Sequence, residues 1–355
     1  MIHDFCHSLA GRPASIRRWV LAIAAVSFVP LSAARDESGR NPARTISVRN
    51  AHAMTYDRHR GRVVLFGGAD ASTVRGDTWE WDGAGWAQIS LAGPEPRTFA
   101  AMAYDSLRQR TVLFGGNRVL FGGDPAASNT FLGDTWEWDG LKWTPIRASG
   151  PPPRAEAAIA FDEKRNRIVL FGGYNRAGGK IRRLGDTWEW DGATWMQVPA
   201  PGPSPRNGAA QVYDRLRGTI VLVGGRAERG TSAETWEWNG ARWTHSLAAS
   251  RQGIFNCSLA YDSDRHRIVR FGGYSGKQRV AETWEFDGAS WSLTSSTGPA
   301  ARNHAAMAYD ERRKRVVLYG GHDGLAVFGD TWDWDGKRWQ QRAASDPETH
   351  VDNDH

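Results

Sequence analysis

Cysteine is almost missing. Only Cys6 and Cys257 occur in 355 residues, so no framework of internal disulfides can staple the fold. No apolar run reaches the roughly 20 residues that a membrane-spanning helix needs. The stretch from Trp19 to Leu31 is broken by Ser27 and Pro30. Net charge is also scarce, at +6 for the chain. That is too mild to imply a polyanion partner such as nucleic acid.

The first 34 residues read as a secretory signal. Arg12, Arg17 and Arg18 form a basic front, Trp19–Leu31 the apolar stretch, and Ser32-Ala33-Ala34 a small-residue cleavage site. No cysteine closely follows the apolar stretch, so a lipid anchor is not expected. Without residues 1–34, which carry three bases and Asp4, the formal charge falls to +4 and Cys257 is left without a partner. The expectation is a secreted or periplasmic monomer with no membrane span after cleavage. Residues 35–44 read as a linker and 344–355 as a disordered polar tail.

What is abundant is glycine, with 40 residues, and tryptophan, with 18. Glycine disfavours helices and aromatics suit strands. Seventeen of the 18 tryptophans fall in a repeat that occurs six times between residues 45 and 343. Gly-Asp-Thr-Trp-Glu-Trp-Asp-Gly stands at 76–83, 133–140 and 185–192, with close variants at 233–240, 281–288 and 329–336. Each is followed by another Trp: Trp86, Trp143, Trp195, Trp243, Trp291 and Trp339. Upstream lies an apolar strand ending in Gly-Gly, such as Gly67-Gly68, and before that a small-residue run ending in aromatic-Asp, such as Tyr56-Asp57. The aromatics are spaced by 48, 57, 52, 48 and 48 residues.

Each repeat therefore supplies four strands, A to D. Strand A is small-residue (Ala100 to Tyr104), strand B fully apolar (Val63 to Phe66), strand C carries the Trp-x-Trp pair, and strand D starts at the third Trp. The Gly-Gly pair, the aromatic before Asp and the Trp opening strand D resemble kelch repeats, including those of the galactose oxidase central domain. A period near 50 fits kelch better than WD40. The resemblance implies an all-β, six-bladed propeller of four antiparallel strands per blade. The tryptophans are read as inter-blade packing rather than sugar-stacking surfaces. In the A–B turns an Asp is followed five residues later by Arg, as in Asp57/Arg62, and these pairs are expected to hold the hairpins. Repeat four has Thr219 instead.

In such a propeller strand A starts at the face carrying the D–A and B–C loops. Arg49, Arg97, Arg154, Arg206 and Arg302 stand there, with Ile254 in repeat five. They are expected to ring the channel mouth and to bind carboxylate, phosphate or sulfate bidentately. Bracing of the loops is the competing role. Kelch propellers often bind partners through arginines at this edge, which the resemblance extends to these five. Asn50, Thr98, Asn207 and Asn303 follow them, with His52, Glu156 and His304 just inside. Positions that break the repeat, namely His52, Glu156, Asn256, His304 and His322, are the sharper candidates. An insert at Asn117–Leu132 and a basic loop at Asn175–Leu184 should project on the same face.

Copper radical chemistry of the galactose oxidase kind is not expected. It needs a Tyr next to a His ligand, and no Tyr-His dipeptide occurs. Cys257 fills a slot that other repeats give to Ala100, Ala157, Ala209 and Ala305. No metal or other cofactor is expected. Two functions remain. One is a noncatalytic propeller that binds a protein, an anionic small molecule or a carbohydrate on its loop face. The other is a sugar-acid (sialic acid-type) mutarotase or epimerase, with Glu156 and His304 exchanging protons.

Overall fold

The computed structural model describes residues 45–120, 130–248 and 252–344, together with the backbone of 348–349. The expected signal and linker lie outside the described residues. What is described contains no α-helix and six sheets of four antiparallel strands, each taken in chain order. The protein is a six-bladed β-propeller.

Blade 1 comprises Ala53–Asp57, Arg62–Phe66, Thr78–Trp81 and Trp86–Ser90. Strand A of blades 2 to 6 is Ala101–Asp105, Ala158–Asp162, Ala210–Asp214, Ser258–Asp262 and Ala306–Asp310. Each runs up to and includes the Asp of the aromatic-Asp pair. In blade 2, strands B (Arg110–Asn117) and C (Phe131–Trp138) are longer, because the insert continues their hairpin through Asn117↔Phe131. Residues 121–129 of the insert lie outside the described residues. The basic loop of blade 3 forms a hairpin of its own, Tyr174–Ala177 against Lys180–Arg183.

Strand B is the buried spine of each blade: Val63, Val64 and Leu65 have no exposed surface. The hydrophobic core is not central but lies between blades. Val112 and Phe114 of blade 2, for example, pack with Ile168, Trp190 and Trp195 of blade 3, and Leu65 of blade 1 packs with Val317 and Tyr319 of blade 6. A buried tryptophan removes about 150–250 Å² from water, or roughly 4–6 kcal/mol of transfer free energy. The indole also aligns the blades. Nε1 of each strand-D Trp donates to the Thr that precedes the Trp-x-Trp pair of strand C one blade back: Trp143 to Thr78 at 2.8 Å, Trp195 to Thr135 at 3.0 Å, and Trp86 to Thr331 at 2.9 Å. The last of these joins blade 1 to blade 6, so the ring closes without a blade shared between the two ends of the described chain.

Gly-Gly serves the same joint. Gly67 has φ 69°, and a Cβ there would stand 2.7 Å from the Arg97 carbonyl oxygen of blade 2, while Gly68 N–H donates to that oxygen at 2.9 Å. A side chain would force the two blades apart. Residues 45–48 add no strand but brace the closure. Ile46 is buried against Trp79 and Val317, and the Tyr319 hydroxyl donates to the Ser47 carbonyl at 2.8 Å.

The turn ion pairs differ from expectation. The partner of each strand-A Asp is the Arg three residues on, not five: Asp57–Arg60, Asp105–Arg108, Asp162–Arg165, Asp214–Arg217, Asp262–Arg265 and Asp310–Arg313. The reason is reach. In blades 1 to 5 the same guanidinium also grips the strand-C glutamate, as Arg60 does Glu80 at 2.5 Å. Arg62 stands opposite Asp57 in the ladder but donates to the Gly61 carbonyl. In the tail, Glu348–Thr349 pair with Ala326–Val327 of the blade 6 B–C loop; its other residues past 344 lie outside the described residues.

Candidate functional site

The five strand-start arginines do not open into the mouth. Arg49, Arg97, Arg154, Arg206 and Arg302 are each at most 1 % exposed. Nε donates to the carbonyl two residues back, for Arg97 that of Glu95 at 3.0 Å. One Nη donates to the first Gly-Gly carbonyl, and the pair grips the acid that opens the strand-C motif. For Arg97 these are Gly115 O at 3.0 Å and Asp134 at 2.7 and 2.9 Å. The acids in the other four blades are Asp77, Asp186, Glu234 and Asp330. That acid also accepts from the first Trp of strand C, as Asp134 does from Trp136. Each guanidinium is spent inside its own blade, tying strand A to strands B and C.

What lines the mouth is the residue two positions later. Ala51, Phe99, Glu156, Gly208, Asn256 and His304 all have φ between 52° and 62°. Their backbones form a closed ring: each N–H donates to the carbonyl of the preceding blade at 2.8–3.2 Å, and Ala51 N–H returns to His304. The ring fixes where six side chains begin. Left-handed backbone at five non-glycine residues is strain that the ring bonds hold in place.

The six side chains are not equivalent. Glu156, Asn256 and His304 converge with His52 and Cys257 on a cavity of about 140 Å³. Gly208 leaves the room for this: a Cβ there would meet Asn256 Oδ1 at 2.2 Å and Glu156 Oε2 at 3.1 Å. Asn207 Nδ2 donates to Glu156 Oε2 at 2.6 Å. Asn256 Nδ2 donates to His304 Nε2 at 2.6 Å, which places the imidazole proton on Nδ1, donated to His322 Nε2 at 2.8 Å. Burial, aided by the Arg279 charge, pushes His304 down to about 3, so the ring is neutral. Its 3.9 Å separation from Glu156 Oε1 is therefore not an ion pair. His52 is likewise pushed down to about 3 by burial and by Arg49, and neither ring nitrogen makes a well-formed hydrogen bond. Among the described residues no group of three His, Cys, Asp or Glu is placed to hold a metal.

Arginines do face this side, but they are other ones. Arg183 Nε donates to Asn207 Oδ1 at 2.9 Å, and Arg279 Nε donates to Asn303 Oδ1 at 2.9 Å. Arg226 lies over Phe255, 5.8 Å from the ring centroid. Its charge, after burial, holds Arg183 below the usual guanidinium range. Arg183 and Arg279 occupy the same position in blades 3 and 5, where blades 1, 2, 4 and 6 have Val74, Phe131, Thr231 and Val327. Of the asparagines expected at the mouth, Asn207 connects Arg183 to Glu156 of the inner ring, and Asn303 accepts from Arg279 and pairs through its backbone with His322. Asn50 is buried and pairs through its backbone with Ala69.

The opposite end of the channel is spanned by charge. Glu163 Oε1 accepts from Arg58 and Arg215, each at 2.7 Å, and Glu311 Oε1 accepts from the same two at 3.1 and 2.6 Å. Partial burial raises both carboxyls above their ordinary range. A cavity of about 200 Å³ at this end is lined by these four residues together with Met54, Met102, Ile159, Leu259 and Met307. This four-charge cycle was not foreseen. Its signal is the residue after aromatic-Asp, which runs Arg58, Ser106, Glu163, Arg215, Ser263, Glu311.

Fold and site define a propeller with one polar, arginine-rimmed mouth and one ion-paired end. No protein-family profile matches the chain. Over 118 residues it is 32 % identical to dynein regulatory complex subunit 7 of Chlamydomonas reinhardtii, a match covering 31 % of this chain and 10 % of that protein. Over 118 residues it is 34 % identical to the flagellar outer arm dynein alpha chain of the same alga, covering 30 % of this chain and 2 % of that protein. The chain thus matches a tenth or less of the length of these relatives.

Proposed function

We propose that this is an exported, kelch-type propeller that binds an anionic ligand, without chemistry, at its loop-face mouth. The observation that carries the reading is the break in sixfold repetition. Glu156, Asn256 and His304 hold hydrogen-bonding groups toward one cavity where blades 1, 2 and 4 have Ala51, Phe99 and Gly208. Beside them stand Arg183, Arg226 and Arg279, a set that the other blades do not repeat. Guanidinium groups supply the carboxylate contact and the inner ring takes hydroxyls. The 118 residues shared with each of two longer dynein proteins are about two repeats in length and fit repeats of this kind built into larger chains.

The test is calorimetric titration and thermal shift with glucuronate and sialic acid, against glucose and an acidic peptide. A ligand at a hundred times its Kd stabilises by about 2.7 kcal/mol. Binding of the acid sugars, weakened tenfold or more by Arg279→Ala with the melting temperature kept, supports the reading. Equal shifts from glucose, or none from any anion, overturn it. The second reading is a sugar-acid mutarotase, favoured by the 3.9 Å approach of Glu156 and His304. Anomer exchange followed by NMR, abolished in Glu156→Gln, would establish it.

A further inference from the structure

The cavity at the A–B end of the channel contains one polar atom without a partner. The second residue of every strand A lines it: Met54, Met102, Ile159, Gln211, Leu259 and Met307. Only Gln211 is polar. It is 7 % exposed, and its Nε2 donates to the Val169 carbonyl of blade 3 at 2.6 Å, while its Oε1 accepts no hydrogen bond. A buried acceptor left without a donor is costly. Water serves it poorly, because a buried water needs about two to four polar partners and the neighbours in this ring are apolar.

The charge cycle of Arg58, Glu163, Arg215 and Glu311 lies four residues further along strand A, about 13 Å away. Its side chains are 25 to 35 % exposed, so solutes reach them. The cycle uses only some of its atoms. Each arginine gives Nε and Nη2, and each glutamate accepts both arginines through Oε1. The two Nη1 atoms and the two Oε2 atoms take no part in it. The cycle can therefore add one anionic and one cationic group without breaking. Because it is already neutral, a lone anion or cation meets as much repulsion as attraction, whereas a zwitterion offers both signs at once.

We infer that this end is a separate binding site for an aromatic α-amino acid with a hydroxyl at its tip. The carboxylate meets Nη1 of the arginines, the ammonium meets Oε2 of the glutamates, and the hydroxyl donates to Gln211 Oε1. The α-groups stay at the rim, so only the ring must enter the cavity, whose roughly 200 Å³ is the volume of about seven waters. Three methionine thioethers line its path, and thioether sulfur packs well against aromatic rings. The site shares no lining residue with the loop-face cavity, so it stands or falls apart from the anionic-ligand reading.

Calorimetric titration of the full chain tests it. L-Tyrosine at millimolar concentration should bind, and L-phenylalanine about tenfold more weakly for want of the hydroxyl. Tyramine and hydroxyphenylpropanoate, which carry one charge each, should bind about fivefold more weakly or worse. Gln211→Met gives blade 4 the residue of blades 1, 2 and 6 and should erase the preference for tyrosine while phenylalanine binds as before. Gln211→Leu, the residue of blade 5, is the second variant should the first fail to fold. An excess of glucuronate should not displace tyrosine. No binding of tyrosine, equal binding of either singly charged analogue, a tyrosine preference unchanged in the folded variant, or displacement by glucuronate would overturn the inference.

Discussion

Replacing Arg302 by isoleucine installs in blade 6 what blade 5 carries at Ile254. It separates the two roles open to the strand-start arginines. Arg302 donates to Ala300 O at 3.0 Å, Gly320 O at 2.9 Å and Asp330 at 2.5 and 2.9 Å, and its guanidinium lies 4.1 Å from the Phe328 ring centroid. Without it the Asp330 carboxylate keeps the Trp332 indole as a partner, and the Gly320 carbonyl loses its side-chain donor. Breaking a buried pair by removing one member costs about 3–5 kcal/mol. At about 2 °C per kcal/mol for a domain of this size, the melting temperature should fall by roughly 6–10 °C. Calorimetry reads the loss, and titration with glucuronate well below the transition reads the site. The expected result is a large fall in stability with affinity kept within about twofold. An unchanged melting temperature with glucuronate binding abolished would refute the reasoning and return Arg302 to the ligand site.

Blade 5 supplies a converse. Arg270 takes the strand-B place of Leu65 and Leu318, is 1 % exposed, and stacks between Trp284 and Trp291 with Nε and Nη1 unbonded. Arg270→Leu should be neutral or stabilising by about 1–4 kcal/mol, and Ile254→Arg/Arg270→Leu should gain further, both read by denaturant midpoint. Trp143→Phe leaves the fully buried Thr78 hydroxyl without its donor and should cost about 2 kcal/mol. Thr78→Val in the same chain should recover about 1 kcal/mol of that. Acid should weaken the fold early. His52 and His304 have folded-state values near 3 against 6.5 when unfolded. The stability this represents is present above pH 6.5 and is lost as pH falls toward 3. Between pH 7 and pH 5 the two should cost about 4 kcal/mol, and His52→Phe/His304→Gln should flatten that slope in urea melts.

Repetition made the fold readable. A Trp, a Gly-Gly pair or an aromatic-Asp seen six times in register leaves little freedom in strand number or order, and the strand ends read for blades 1 and 2 came within a residue of the structure except where the blade 2 insert prolongs strands B and C. Repetition was less informative about direction. That an arginine opens strand A was plain, but not whether it turns outward or beneath the loop. The deciding residue, the acid before Thr-Trp, is about 30 positions away in the chain. In the A–B turns two arginines compete for each Asp. The one present in all six repeats, Arg60 through Arg313, is the one that pairs, and repeat four's Thr219 already argued against the other. His52, Glu156, Asn256 and His304 were legible because they break the pattern, and the structure gathers all four in one cavity. Arg183 was legible only as part of the basic loop Asn175–Leu184, and Arg279 was missed, because in loops of unequal length register cannot be counted from the sequence.

The two ends of the channel show why one of them is the candidate mouth. At the far end Arg58 and Arg215 stand on opposite blades and each bonds both Glu163 and Glu311. The four charges neutralise one another across the whole diameter, and each of the two guanidinium groups is already held by two carboxylates. At the loop end Arg183 Nε donates to Asn207 Oδ1 and Arg279 Nε to Asn303 Oδ1. Neutral His304 and His52 do not change this between pH 5 and 8. A ligand entering from the loop face meets a ring of donors and acceptors whose backbone is already fixed by six hydrogen bonds. The ordering that binding requires has been done by the fold, which is the condition under which a small site holds a ligand tightly.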